Sequence, residues 1–218
     1  TYYFFNGTSG IDILKESHEM MMQKLDLAWK NKTPNLPYKN KYEALIVASI
    51  IEKELGNRDE ANLIAGVFVN RMRIGMPLQS DPTVIYGMYD QFNGNLTKQD
   101  LMRDTPYNTY TRNGLPPSPI CLPGFDVIEA ALNPAETNAF YFVAKGDNKT
   151  HHFSKTLKDQ LRYIFKDFGT SYSPRKHQYT KSTTRLLIFN EDHKIQTLYD
   201  NKYKSKELYS ATLIPEYG

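Results

Sequence analysis

Tyr42-Glu43-Ala44-Leu45-Ile46-Val47-Ala48-Ser49-Ile50-Ile51-Glu52-Lys53-Glu54-Leu55-Gly56 is the stretch that decides how the chain is read. From Ala44 to Ile51 only the small Ser49 interrupts the apolar run, which ends on Glu52. A helix of this sequence is apolar nearly all round, the mark of an element buried on every side. Steps of three and four put Leu45, Ala48, Ser49 and Glu52 on one stripe, so a carboxylate continues an apolar face. Gly56 is expected to supply the left-handed stop just past the helix end. A carboxylate in a core is costly unless paired or neutral, and apolar surroundings raise its pKa. That placement suits a general acid working near neutral pH. The competing reading turns Glu52 to the surface beside Lys53 and Glu54. The helix by itself leaves both open.

Working outward, 218 residues suffice for one good-sized core, or for a domain with a smaller appendage. A net charge of +3 is too weak to argue for nucleic acid. The 16 Tyr and 11 Phe against one Trp favour an amphipathic ligand such as a sugar, since a tyrosine ring stacks while its hydroxyl bonds. A single cysteine, Cys121, excludes an internal disulfide. No apolar run approaches the roughly 18 residues of a membrane helix, and no signal peptide is visible. The chain opens at Thr1 in what reads as mid-strand sequence, so it is expected to be a piece of a longer protein.

Upstream of the central helix, Tyr2 to Phe5 is a strand candidate. Ser9 caps a helix to about Lys30 with Ile11, Leu14, His18, Met21, Leu25 and Ala28 on one face. Downstream, a third helix runs from Asp59 to Ile74 and stops at Gly75. Asp81 as cap with Pro82 in the first turn starts a short helix over Thr83 to Met88. Thr97 and Asp100 form a capping box for another. Five prolines between Thr105 and Gly124 exclude regular structure there. A loop of that length in a compact domain is usually functional. Phe125 to Leu132 resumes a helix, Ala139 to Lys145 and His151 to Ser154 pair as a hairpin, and Ser154 caps a helix to about Asp167. Beyond Gly169, a polar linker leads to strands at Arg185–Phe189, Ile195–Tyr199 and about Leu208–Leu213. The fold expected is α+β. A mainly helical catalytic domain with small β elements spans residues 1–168, and a linker with a small β-rich tail spans 169–218.

No metal-binding spacing, Gly-rich phosphate loop or Gly-x-Ser-x-Gly elbow is present, and no cofactor is expected. His151 and His152, adjacent in a strand, point to opposite faces and cannot serve one ion. What remains is carboxylate chemistry beside a loop of hydroxyls and amides. The loop and its approaches carry extended motifs. They are Gln79-Ser80-Asp81-Pro82-Thr83-Val84-Ile85-Tyr86-Gly87, Asn93-Gly94-Asn95-Leu96, Thr105-Pro106-Tyr107-Asn108-Thr109-Tyr110 and Gly114-Leu115-Pro116-Pro117-Ser118-Pro119-Ile120. With Ala48 to Glu54 and Phe68-Val69-Asn70-Arg71, they resemble the MltG-type (YceG-like) endolytic murein transglycosylases from about Thr1 to Leu157. After Gly169 the resemblance ends.

That resemblance implies peptidoglycan glycan strands as substrate, with Glu52 matching the family's catalytic residue. It also implies cell-wall synthases as company, and a place on the outer face of the cytoplasmic membrane, held by an anchor outside this sequence. Ordinary glycosidases use two carboxylates about 5–9 Å apart. A lytic transglycosylase can dispense with one, because the muramyl C6 hydroxyl attacks the anomeric carbon and closes a 1,6-anhydro ring. Substrate contacts are expected at Gln79, Asp81, Thr83, Tyr107, Asn108, Thr109 and Tyr110, with Asp81 equally readable as a helix cap. Glu54 and Arg71 are expected either to pair in support or to stand as separate surface charges. The rivals are a muramidase with Asp81, Asp100 or Asp104 as base, and a glycan-binding scaffold whose acid is idle.

Overall fold

Helix α2, Lys41–Glu54, is capped by the Asn40 side chain, which accepts from the Glu43 N–H. Ala44 and every residue from Ile46 to Ile51 are buried, as an all-round apolar helix demands. The flanking helices are α1 (Gly10–Lys30), α3 (Ala61–Arg73), α4 (Asp81–Met88) and α6 (Phe125–Leu132), and all four pack on α2 or on one another. Val47, Ile50, Ile51, Ile64, Phe68, Leu78, Ile128 and Leu132 form the centre of the core. A satellite cluster of Val84, Met88, Leu96, Leu101 and Tyr110 joins α4 to the short α5, Lys98–Met102, which has the expected Thr97/Asp100 capping box. This computed structural model describes residues 3, 5–145, 150–168, 184–189, 195–197 and 210–215.

Strand β1, Tyr141–Ala144, pairs antiparallel with β2, His151–Ser154, in the register Tyr141↔Ser154 to Ala144↔His151. Helix α7, Leu157–Phe168, packs on this hairpin. The segment before β1 is strapped along α3. Asn62 Nδ2 donates to the Asn133 carbonyl at 2.7 Å, and Asn70 Nδ2 to those of Thr137 and Ala139 at 2.8 and 3.0 Å. Gly66 permits that approach, because a Cβ there would lie 2.6 Å from the Ala135 carbonyl oxygen. Farther on, β3 (Thr184–Phe189) pairs antiparallel with both β4 (Ile195–Thr197) and β5 (Ser210–Pro215), a separate three-stranded sheet.

Several local expectations need correcting. Gly56 does not stop α2 in the left-handed region: Leu55 ends the helix by turning extended, φ −73° and ψ 120°. The third helix starts late, because Arg58–Glu60 forms a 3-10 turn capped by Asn57 before α3 begins. Ser80, not Asp81, is the N-cap of α4, which makes Asp81 the first helical residue. The α7 cap is Thr156, whose hydroxyl accepts from the Asp159 N–H, while Ser154 belongs to β2. On α1 the apolar stripe is buried only at Leu25 and Ala28; Ile11 and Leu14 are exposed, as is His18. Of the strand expected at Tyr2–Phe5, Tyr3 and Phe5 are exposed and lie in no strand, while Tyr2 and Phe4, the 146–148 turn and the 171–181 linker lie outside the described residues.

Candidate active site

The last turn of α2 carries two glutamates two residues apart. At about 100° per residue they point roughly 200° apart around the axis. Glu52 continues the stripe of Leu45, Ala48 and Ser49; Glu54 continues that of Val47, Ile50 and Ile51. Both stripes are apolar, and the tertiary neighbours separate the two.

Glu52 faces the far end of the 105–124 loop. One carboxyl oxygen accepts from Arg58 Nη2 at 2.8 Å and the other from the Gly124 N–H at 2.9 Å. Arg58 also donates to Asp126 at 2.7 Å, so the three side chains clamp the start of α6 against the end of α2. A Cβ on Gly124 would meet Asp126 Oδ1 at 2.5 Å, so a larger residue there would have to displace the Asp126 carboxylate. Both oxygens of Glu52 are thereby engaged as acceptors. One turn earlier, Ser49 Oγ accepts from the Ile120 N–H at 2.9 Å and pins the same stretch of loop.

Glu54 faces the other way, toward the Gln79–Asp81 segment. Its carboxyl accepts from Ser80 Oγ at 2.5 Å. Burial raises its pKa above the ordinary carboxylate value, against the lowering pull of the Ser80 hydrogen bond and of the His151 and Arg71 charges. The residue as a whole keeps some contact with solvent at the end of α2. A carboxyl held toward its protonated form is what a general acid requires.

The residues around Glu54 are locked together by the loop's first half. Gln79 adopts φ +50°, uncommon for a residue with a Cβ, and its N–H donates to the Thr109 carbonyl at 3.1 Å. The Ser80 N–H donates to Thr109 Oγ1 at 3.0 Å, Thr83 Oγ1 donates to the Ser80 carbonyl at 2.6 Å, and the two threonine hydroxyls are 2.9 Å apart. Thr83 and Thr109 are buried, and their hydroxyls fasten α4 to the loop. Tyr110 donates its hydroxyl to Asp81. Burial, reinforced by the Glu54 charge, pushes the Asp81 carboxyl up to about 7, with the Tyr110 bond opposing. The site therefore holds two carboxyls that resist ionising together.

Arg71 of α3 lies beneath this segment, buried. Its Nε donates to the Phe140 carbonyl at 2.7 Å and Nη1 to that of Leu78 at 2.6 Å, and its guanidinium sits 5.5 Å over the Tyr141 ring. Among the described residues its hydrogen bonds go to carbonyls, not to Glu54, so it acts on that carboxyl through its field. His151 of β2 is held by Glu60, with Nδ1 2.8 Å from Oε2 and the backbone N–H donating to the same carboxylate. His152 faces away and stacks on Tyr163 at 3.8 Å.

Of the residues expected to bind substrate, Gln79, Asp81, Thr83, Thr109 and Tyr110 gather on the Glu54 side. Asn108 is fully buried and bridges backbone: Nδ2 donates to the Leu101 and Arg103 carbonyls, and Oδ1 accepts from the Tyr110 N–H. Tyr107 meets Ser118 Oγ at 2.7 Å and packs its ring on Tyr86. Asp100 serves its capping box, and Asp104 is paired with the exposed Arg112. Ser80 and His151 were absent from the sequence reading of the site. Ser80 was legible as a hydroxyl inside a motif, whereas His151 joins only through hairpin packing. A cavity of about 300 Å³, lined by Pro106, Thr109, Arg112, Asn113 and Leu115 among others, opens beside this cluster and shares Thr109 with it.

Comparison with known proteins gives these shapes a lineage. A model of the YceG-like family matches residues 1–166. A protein of Bacillus subtilis (strain 168) called endolytic murein transglycosylase is 43% identical over 118 residues, 54% of this chain and 32% of its own length. One of the same name from Streptococcus pneumoniae (strain ATCC BAA-255 / R6) is 31% identical over 169 residues, 75% of this chain and 30% of its own. A crystal structure of a yceG-like protein from Listeria monocytogenes superposes with a TM-score of 0.64 at 36% identity, covering 74% of this chain and 52% of that one. The chain thus spans about a third of the two curated relatives and about half of the solved one.

Proposed function

The chain belongs to the YceG-like family, and on that footing we propose that it is the catalytic part of an endolytic murein transglycosylase with Glu54 as its acid and base. The observation that carries this reading is the Glu54 carboxyl. Its pKa is raised by burial, it is aimed by Ser80, and it is flanked by the motif residues of both loop approaches. In the reaction proposed, Glu54 gives its proton to the bridging oxygen of the N-acetylmuramyl–N-acetylglucosamine bond as that bond breaks. The resulting carboxylate then takes the proton of the muramyl C6 hydroxyl as this oxygen bonds to the anomeric carbon. The strand is cut, a 1,6-anhydro ring closes, and Glu54 ends protonated again. The Arg71 charge favours the carboxylate that exists between the two steps.

The sequence reading gave this role to Glu52. The geometry favours Glu54, because both Glu52 oxygens already accept from Arg58 and Gly124 in a clamp between α2 and α6. Asp81 is the one aspartate of the muramidase alternative that reaches the cluster, which keeps hydrolysis as the second reading. The catalytic unit proposed is residues 1–168. Such an activity places the protein on the outer face of the cytoplasmic membrane, in the company of cell-wall synthases; among the described residues no helix is long and apolar enough to cross a membrane. The test is a digest of purified glycan strands followed by mass spectrometry. Anhydro-ended fragments, each one water lighter than a hydrolysis product, support the proposal; only hydrated ends, or no cleavage, overturn it.

A further inference from the structure

A tyrosine cluster lies at the other end of α4 from Asp81. Tyr86 and Tyr107 meet edge to face with ring centroids 4.7 Å apart, and Tyr89 stands 5.9 Å from Tyr86. Tyr86 and Tyr107 pack their backs on the main core, and Tyr107 is further fixed by Ser118. Gly87 brings the two segments together, since a Cβ there would lie 2.6 Å from Thr105 Oγ1 and 3.2 Å from Tyr107 Cβ. Tyr89 is 70% exposed and is displayed from a backbone with φ +50° and ψ −128°. That conformation is rarely adopted by a bulky residue, and at a ligand site such strain is commonly part of the design.

We infer that Tyr86, Tyr89 and Tyr107 form a stacking subsite for one pyranose ring of the glycan, separate from the cleavage point. This inference rests on the reading proposed above for Glu54. The apolar C–H face of an amino sugar suits an aromatic ring, and its hydroxyl and acetamido groups suit the phenol oxygens at the ring edges. Two rings fixed by the core and one presented to solvent make a largely preformed platform, as small-ligand sites usually are. From Asp81 to Tyr86 the helix rises on the order of 8 Å. The ring held there therefore belongs to a neighbouring sugar, and its binding energy is realised equally in ground and transition states. Such uniform binding appears in KM and not in kcat.

The test combines kinetics with direct binding. Tyr89→Ala should raise KM for glycan strands on the order of tenfold with kcat within about twofold, in line with the loss of one stacked ring. Tyr89→Phe, which keeps the ring, should hold KM within about twofold, and Ile11→Ala, an exposed apolar control on α1, should change nothing. Titration of the wild-type protein with chitotetraose, followed by saturation-transfer NMR, should place the sugar on the tyrosine rings and weaken in Tyr89→Ala. An unchanged KM, a loss confined to kcat, or equal damage from Phe and Ala overturns the subsite. If wild-type protein cleaves no strands, the proposed activity fails by itself. The subsite is then decided by chitotetraose, whose binding must be weakened by Tyr89→Ala but not by Tyr89→Phe.

Discussion

Replacing each glutamate of α2 by glutamine separates the two candidate acids. Glu54→Gln keeps the shape and an oxygen for Ser80 to donate to, so the Gln79–Asp81 segment should stay in place. What disappears is proton transfer, and general acid–base catalysis contributes about 10²- to 10⁴-fold. Glu54 is asked to act in both halves of the reaction, so the loss belongs near the upper end. Removing a carboxyl that burial holds toward its neutral form should not lower the melting temperature at neutral pH. Glu52→Gln instead breaks an ion pair with Arg58, whose side chain is 58% exposed against 19% for Glu52. A pair with one exposed partner belongs at the upper end of the surface range, about 1 kcal/mol, which in a chain of this size moves the melting temperature by about 2–4 °C. Its effect on turnover should stay within about threefold. The assay is release of anhydro-ended fragments by both variants, with thermal melts alongside. A folded Glu54→Gln protein retaining a tenth of the activity, or an inactive Glu52→Gln protein, would refute the assignment and return it to the residue the sequence suggested.

Other outcomes follow from neighbouring contacts. The folded Asp81 carboxyl titrates near 7 against 3.8 ordinarily, so the folded state binds more protons in between and stability falls as pH rises through that window; Asp81→Asn should flatten the decline in melts from pH 4 to 8. Activity, needing protonated Glu54 at the first step, should have an alkaline limb above the ordinary carboxylate range, read from a kcat/KM profile. Gly66→Ala would drive a methyl against the Ala135 carbonyl and should cost about 1–3 kcal/mol by denaturant melts, without altering the chemistry of the site. Ending the chain after Phe168 should leave strand cleavage intact; a folded but inactive product would show that the tail belongs to the catalytic unit.

The fold was largely legible because its signals are local. The apolar run of α2, the Thr97 capping box and the proline spacing of the loop each determine backbone within a few residues. Which part of the loop each glutamate of α2 faces was not legible, for a geometric reason. An amphipathic helix tells which face is buried, but α2 is apolar on every face, so periodicity cannot separate Glu52 from Glu54. Their difference comes from chain 26 and 72 residues farther on, namely Ser80 for one and Gly124 for the other. His151 comes near the site only through the packing of the hairpin on α3. The exposed half of α1 shows the opposite failure, where a clear apolar stripe finds no core to enter among the described residues.

The long loop is fastened at both ends and by different means. Its beginning is tied by the Thr83–Thr109 hydroxyls, and its end by Ser49 on the Ile120 amide and Glu52 on the Gly124 amide. Between these ties, Arg112 to Pro117 forms the wall of the cavity. Lengthening a segment whose ends are already fixed costs little closure entropy, since each doubling adds only about 0.6 kcal/mol. Chain length there is consequently decoupled from the position of the Glu54 carboxyl. That stretch is the natural place for descendants of this fold to acquire new ligand preferences, and for an engineer to graft them, while the Glu54 carboxyl and its supports stay as they are.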